Sequence, residues 1–275
     1  MHNKAFDQWV AGARAAAHQP PVLPRVPLAV AGQVVGSAAP GVLEKISALG
    51  PLEGGHRLVL KEHAGQWAWH LDAAPGQATM ALNALAAVLR ARDQCGPWRN
   101  EQLAVPNAQG EVIATVERGA VRVLGVATRA VHLVGLAPDG RMWVQQRSRT
   151  KPNNPGMWDT LMGGMVSAAD TTDEALARET WEEAGLHIAA LAGVARGGHV
   201  VFSRPSREGG GIGFMVERID WFRATVPEGM EPANQDGEVE RFDLLDLGEV
   251  QRQVARGEFT QEAGLVIADY LQSIA

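Results

Sequence analysis

The feature that most constrains the fold is the stretch GGMVSAADTTDEALARETWEEAGL, residues 163–186. Thr171 and Glu174 have the Thr-x-x-Glu spacing of a capping box, which satisfies the free amides at a helix start. Gly185 suits the left-handed residue that follows a helix. These local signals predict a helix from about residue 172 to residue 184. At about 100° per residue, one side of it carries residues that can pack inward, and three glutamates fall in an adjacent arc.

Those glutamates, Glu179, Glu182 and Glu183, form one carboxylate cluster. A solvated charged face is the ordinary interpretation of such a cluster, although like charges one turn apart cost a few tenths of a kcal/mol in an isolated helix. A divalent cation offsets that repulsion, because Mg²⁺ and Mn²⁺ prefer hard oxygen ligands. Arg178 lies one turn before Glu182 and can orient its side chain. We therefore predict that the three glutamates are metal ligands and that the cofactor is Mg²⁺ or Mn²⁺.

The spacing of the whole stretch resembles the Nudix box, in which a glycine, an acidic residue and an Arg-Glu-aliphatic-x-Glu-Glu-x-Gly-aliphatic run follow at set intervals. The matching positions are Gly164, Arg178, Glu179, Glu182, Glu183, Gly185 and Leu186. Asp170 stands where the first glutamate is usual, and Thr180 stands where an aliphatic residue is usual. The resemblance implies an α/β fold, a Nudix α/β/α sandwich with a mixed sheet. It also implies catalytic roles for Arg178 and the three glutamates, with Glu179 either binding metal or orienting the attacking water.

Three further segments narrow the resemblance: RSRTKPNNPGMWDTLMGG, NQDGEVERFDLLD and GEFTQEAGLVIADYL. They are similar to a Nudix group related to the domain fused to thiamine pyrophosphokinase in some fungi, although Met162 replaces a residue that is usually small there. Members of that group carry an N-terminal domain of undefined function. The resemblance implies hydrolysis of thiamine diphosphate, or of damaged forms such as oxo- and oxythiamine diphosphate, to the monophosphate and phosphate. A homodimer is compatible with it.

Basic and aromatic residues before the box are candidates for contacts with a diphosphate. Arg147 and Lys151 flank the start of a long loop, and an arginine can grip a phosphate with two parallel hydrogen bonds. The alternative for both residues is surface solubility. Trp158 can stack on a flat ring of the substrate, and its alternative is packing in the core.

Two glycines and one acidic residue complete the predicted substrate site. Gly163 and Gly164 let the backbone approach a ligand closely. Glu238 is favoured by the resemblance as a further carboxylate, and the alternative is a solvated turn at residues 236–237. His199 is a weaker candidate, because a lone histidine beside glycines is more often structural.

Composition limits the other classes of protein. The 275 residues carry a net charge of −6, which argues against binding to a nucleic-acid backbone. No apolar run approaches the roughly 20 residues of a membrane span, so we expect a cytoplasmic protein that does not bind membranes. The single cysteine, Cys95, cannot form an intramolecular disulfide and lacks a catalytic signature.

We expect two parts, a small α+β domain over residues 1–120 and a Nudix hydrolase domain over residues 121–275. Three alternatives to thiamine diphosphate hydrolysis remain open. One is hydrolysis of another nucleoside diphosphate derivative. The second is a non-catalytic Nudix module that binds a ligand, although such a module has no need of three glutamates. The third is an isopentenyl diphosphate isomerase, which is disfavoured because it needs a cysteine in the Nudix part.

Overall fold

The structure is a computed structural model that describes residues 3–74 and 76–274. The elements of its first part are α1 Lys4–Ala17, β1 Val26–Val30, β2 Gln33–Ala38, α2 Leu43–Ser47, β3 Leu58–His63, β4 Gln66–Leu71, α3 Ala78–Ala91, β5 Gln102–Pro106 and β6 Val112–Glu117. Four strands form a sheet of order β2-β1-β4-β3, in which β1 and β4 are parallel and the other neighbours antiparallel. Strands β5 and β6 form a separate antiparallel pair.

The second part contains a seven-stranded mixed sheet. Its elements are β7 Ala127–Leu136, β8 Met142–Arg147, β9 Trp158–Asp159, β10 Met162–Met165, α4 Thr172–Ala184, β11 Ala192–Ser206, the short α5 Glu208–Gly211, β12 Gly213–Thr225, β13 Val239–Leu245, α6 Leu247–Ala255 and α7 Gln261–Ser273. The main order is β11-β12-β7-β8-β13, with β10 also paired to β7 and β9 to β8. Strands β7 and β12 run parallel, and the other pairs are antiparallel.

Helices cover both faces of this sheet and bury two apolar cores. On one face, Leu176 of α4 packs with Val131 and Leu133 of β7. On the other face, Val266 and other residues of α7 pack with Trp221 of β12 and with residues of α1 and α6. A sheet between two helical layers buries each helix through one apolar stripe. The predicted fold class, an α/β/α sandwich with a mixed sheet after a small α+β region, is confirmed.

Helix α1 joins the second part although it is remote in sequence. Phe6, Val10 and Ala13 are buried in the core formed by α6 and α7. Conversely, residues 121–126 supply valines and a leucine to the core of the first part, where Leu28 and Leu82 are fully buried. The division at residues 120 and 121 stays a prediction.

Helix α4 has the predicted bounds and the predicted caps. The Thr171 hydroxyl accepts from the backbone N–H of Glu174, and the Glu174 carboxylate accepts from the backbone N–H of Thr171. Gly185 has φ 63° and ψ 20°, a left-handed conformation that glycine adopts without steric cost. Thr180 is buried at a position that usually carries an aliphatic residue, and its hydroxyl donates to the carbonyl of Leu176 at 2.6 Å. The helix therefore presents a defined face to the neighbouring strands.

Candidate active site

A cleft of about 200 Å³ lies beside α4, between the loop at residues 148–157 and residues of the first part of the chain. Its acidic lining residues are Asp159, Glu179, Glu183, Glu208, Glu217, Glu238 and Glu262. Its basic lining residues are Arg99, Arg118, Arg122, Arg147 and Lys151, and His132 also lines it. Gly163 and Gly164 of β10 lie in the same wall.

Glu183 is held in the cleft wall by three donors. Its Oε2 accepts from Nε2 of Gln145 at 2.7 Å and from the backbone N–H of Gly163 at 3.0 Å. Its Oε1 lies 3.2 Å from the ammonium of Lys151. The side chain is almost fully buried, so these contacts are what keep a carboxylate at this depth. Glu183 thus has a single orientation that strands β8 and β10 impose.

Glu179 lies against the backbone of Gly164. A Cβ atom at residue 164 would come within 2.0 Å of the Glu179 carboxyl carbon, so only glycine leaves room for this side chain. Burial raises the pKa of Glu179 to about 7; Arg178 opposes this shift and the charge of Glu183 adds to it. A carboxyl group with such a pKa can accept or release a proton near neutral pH.

Arg178 connects the acidic residues of the box. Its Nε donates to Asp170 at 2.9 Å, and one terminal nitrogen donates to Glu179 at 2.9 Å and to Glu182 at 3.0 Å. Asp170 therefore reaches the arginine despite being one methylene shorter than the usual glutamate. The side chain of Glu182 is 43% exposed and does not line the cleft, whereas Glu179 and Glu183 do. Its role as a metal ligand stays a prediction.

The predicted phosphate contacts lie on the loop side of the cleft. The Lys151 ammonium bridges Glu183 and Glu238, at 2.5 Å from the Glu238 carboxylate. Arg147 donates to Asp159 at 3.3 Å and to the carbonyl of Asn153 at 3.1 Å. The Arg147 Nε is buried and has no hydrogen-bond partner. The Arg147 side chain lines the cleft, and a guanidinium in that position suits an anionic oxygen of a ligand.

His132 is one of the cleft residues that were not predicted from the sequence. His132 is buried, with Nδ1 at 2.9 Å from the Thr160 hydroxyl and 3.6 Å from the carboxylate of Asp159. Its ring lies so near Gly163 that a Cβ there would come within 2.8 Å of it. His132 belongs to the apolar run of β7, and a histidine in such a run carries no local signal of a cleft position.

Trp158 requires a correction. It does not line the cleft; it is 7% exposed and packs in the core with Phe259, at a centroid distance of 6.5 Å. The guanidinium of Arg241 covers its ring at 5.1 Å. Strand β9 turns this side chain to the α7 face, so the ring is out of reach of a ligand in the cleft. His199 is exposed on strand β11 and does not line the cleft either.

The donor chemistry of the cleft fits a hard divalent cation, although the side chains are paired with protein cations. Within residues 3–74 and 76–274, no three acidic, histidine or cysteine side chains converge in a metal-binding arrangement. Arg178 and Lys151 account for this, because they hold Glu179 and Glu183 in ion pairs. Glu179, Glu183 and Glu238 nevertheless line one cleft and offer the carboxylate oxygens that Mg²⁺ and Mn²⁺ prefer.

The sequence is similar to that of several known proteins. The sequence profile of the NUDIX domain matches residues 126–269. The chloroplastic Nudix hydrolase 20 of Arabidopsis thaliana is 30% identical over 178 residues, which are 63% of this chain and 46% of that protein. The chloroplastic Nudix hydrolase 24 of the same plant is 28% identical over 202 residues, 72% of this chain and 54% of that protein. The chain thus spans about half the length of the curated relatives it matches.

A solved structure of a Deinococcus radiodurans protein, DR0079, is 24% identical, with a TM-score of 0.49, and covers 62% of this chain and 99% of its own. No helix in the described ranges is long and apolar enough to cross a bilayer. The match to the NUDIX domain covers more than half of the 275 residues. It includes the acidic helix α4, which lies beside the cleft. The chain therefore belongs to the Nudix family.

Proposed function

We propose that this protein hydrolyses the diphosphate bond of a small molecule, with Mg²⁺ or Mn²⁺ as its cofactor. The observation that carries the proposal is that the carboxylates of Glu179 and Glu183 line one cleft together with the cations Arg147 and Lys151. When bound, the divalent ion supplies neutralisation of phosphoryl charge and activation of the attacking water.

The side chains of the cleft divide the remaining work. Arg147 and Lys151 hold phosphoryl oxygens, since both are cations on the loop side of the cleft. Glu183 is a fixed carboxylate, because three donors set its orientation. Glu179 orients the attacking water or accepts its proton. Gly163 and Gly164 line the cleft, and the absence of their side chains leaves room for the His132 ring and the Glu179 carboxylate.

For the substrate, we propose thiamine diphosphate or its damaged oxo- and oxythiamine forms. The support is the similarity of three segments outside the Nudix box to the thiamine pyrophosphokinase-related Nudix group. Another nucleoside diphosphate derivative is the alternative. Trp158 lies in the core, so stacking of a substrate ring on Trp158 supports neither substrate. Among the described residues that line the cleft, His132 has the one aromatic ring. The cytoplasmic location, the homodimer and the absence of nucleic-acid and membrane partners stay predictions.

The test is a screen of diphosphates at fixed Mg²⁺, with thiamine compounds and nucleoside diphosphate derivatives included and with kcat/KM as the measure. Glu179→Gln removes the carboxylate of Glu179 from the cleft. Glu228→Gln is the matched control, because Glu228 is exposed and outside the cleft. We expect Glu179→Gln to lose at least about 100-fold in kcat, the scale of a catalytic acid–base group, and the control to retain activity.

Equal rates in wild type and Glu179→Gln would contradict the catalytic assignment. Binding of a diphosphate without turnover would instead identify a non-catalytic module. A strong preference for a nucleoside diphosphate sugar would replace thiamine diphosphate and leave the hydrolase proposal in place.

A further inference from the structure

Part of the cleft wall comes from residues that precede the NUDIX domain. Pro97, Arg99, Arg118 and Gly119 all line the cleft, whereas the domain profile begins at residue 126. The same cleft contains Glu179 and Glu183 of the Nudix box. A ligand that filled the cleft would therefore contact both parts of the chain.

Hydrogen bonds fix the two segments that carry these arginines. The carboxylate of Glu117, a residue that is 1% exposed, accepts from the backbone N–H of Arg99 at 2.8 Å and from that of Gly119 at 3.4 Å. The backbone N–H of Arg118 donates to the carbonyl of Glu101 at 2.8 Å. A buried charged acceptor that bridges two loops holds both in one arrangement. Both arginines thus extend from a rigid base.

The guanidinium of Arg99 has no carboxylate or hydrogen-bond partner among the residues that the structure describes, although its backbone does. Arg99 and Glu238 both line the cleft and form no ion pair with each other, so a ligand can lie between the two walls.

The guanidinium of Arg118 uses only part of its hydrogen-bonding capacity within the protein. One terminal nitrogen forms an ion pair with Glu101 at 2.7 Å. Burial lowers the pKa of Arg118, but Glu101 and the more distant Glu179 and Glu238 raise it above its ordinary value. Its remaining donors are available to a ligand, because a guanidinium carries five N–H groups in a planar fork.

We propose that Arg99 and Arg118 form a second phosphoryl-binding site, which holds the phosphoryl group of the substrate that lies farther from Glu179 and Glu183. This inference rests on the proposed function. A diphosphate carries two adjacent charged groups, and the side chains around the Nudix box bind one of them. Two guanidiniums on a rigid wall match the oxygens of the other, since the arginine fork fits phosphate geometry. The first part of the chain thereby selects diphosphates over monophosphates.

The experiment is isothermal titration of the full chain with inorganic pyrophosphate and, separately, inorganic phosphate in the presence of MgCl₂. The variants are Arg99→Gln and Arg118→Gln. The control is Arg57→Gln, which makes the same charge change at an exposed residue outside the cleft. We expect wild type and control to bind pyrophosphate more tightly than phosphate. Each cleft variant should bind pyrophosphate at least about tenfold more weakly, the scale of one charge-assisted hydrogen bond, with a smaller change for phosphate.

Melting temperatures separate binding from folding. Arg118→Gln also breaks the ion pair with Glu101, so a lower melting temperature would leave Arg99→Gln, which breaks no ion pair, to decide. A wild-type Kd for pyrophosphate in Arg99→Gln would overturn the inference, and so would a failure of wild type to bind pyrophosphate. Release of phosphate from diphosphate substrates, followed in the same proteins, reports on the proposed function independently of either result.

Discussion

Replacement of Gly164 by alanine tests the geometry of the cleft at one atom. Gly164 lies in β10 opposite Val131 of β7, and its backbone φ is not in the left-handed region, so alanine introduces no backbone strain. Its Cβ would however lie 2.0 Å from the carboxyl carbon and 2.3 Å from Oε2 of Glu179. Since carbon atoms in contact prefer about 3.5 Å, the carboxylate must retreat by roughly 1.5 Å.

The displacement has different consequences for catalysis and for folding. A shift of about 1 Å in a reacting group can cost about 100-fold in rate, so we expect Gly164→Ala to lose at least that much in kcat. The free energy of unfolding should fall by only about 1 kcal/mol, the low end of overpacking, because the atoms that move are the end of a side chain.

The assay measures phosphate release from the best substrate of the screen and urea unfolding of the same samples. Gly248→Ala is the matched control, because a Cβ at that position of α6 meets its nearest atom, on Arg252, at an ordinary 3.6 Å. Its activity should equal that of wild type. If Gly164→Ala has a wild-type kcat, Glu179 does not act from the position that the structure assigns to it.

Three further substitutions test the fold. Asp220 is fully buried beside three arginines. Burial raises its pKa, but hydrogen bonds from the arginines lower it further, to about 2. Since this is below the unfolded value of about 3.9, Asp220→Asn should cost up to about 2 kcal/mol above pH 4. That figure is an upper value, because the arginines are half-exposed and solvent screens their charges. The difference in urea stability between Asp220→Asn and wild type should shrink from pH 5 to pH 3. An unchanged difference would contradict this role of the Asp220 carboxylate. Thr171→Ala should destabilise α4 by about 1 kcal/mol in thermal unfolding, and Thr171→Ser should restore it, since either hydroxyl caps the Glu174 N–H. Gly197→Ala places a Cβ 1.8 Å from the ring of Trp221 and should destabilise by roughly 1–3 kcal/mol with a changed tryptophan fluorescence, whereas wild-type fluorescence and stability would show that the strand can move aside.

The acidic helix was predictable because its signals are local. Thr171 and Glu174 form the capping box that their spacing predicts, and Gly185 ends the helix in the left-handed region. Such signals depend on contacts three or four residues apart, which every copy of the pattern makes.

The orientation of single side chains within the site was less predictable. Trp158 had two readings from the sequence, and the pairing of β9 with β8 decided between them by turning the ring into the core with Phe259. His132 and Gln145 belong to apolar strand patterns, and neither has a neighbour in sequence that indicates a cleft. Gln145 reaches Glu183 only because β8 passes beside α4 in the folded sheet.

By itself, the sequence determined the family, the acidic helix and the presence of a carboxylate cluster suited to a divalent ion. These properties follow from residue spacing within about 25 positions, where chain connectivity already places the groups near each other. The tertiary structure alone decided that Glu179 and Glu183 face the cleft while Glu182 does not, and that Arg99 and Arg118 complete its wall. Those groups are more than 60 residues apart in the chain, so only strand register and packing between the two parts bring them together.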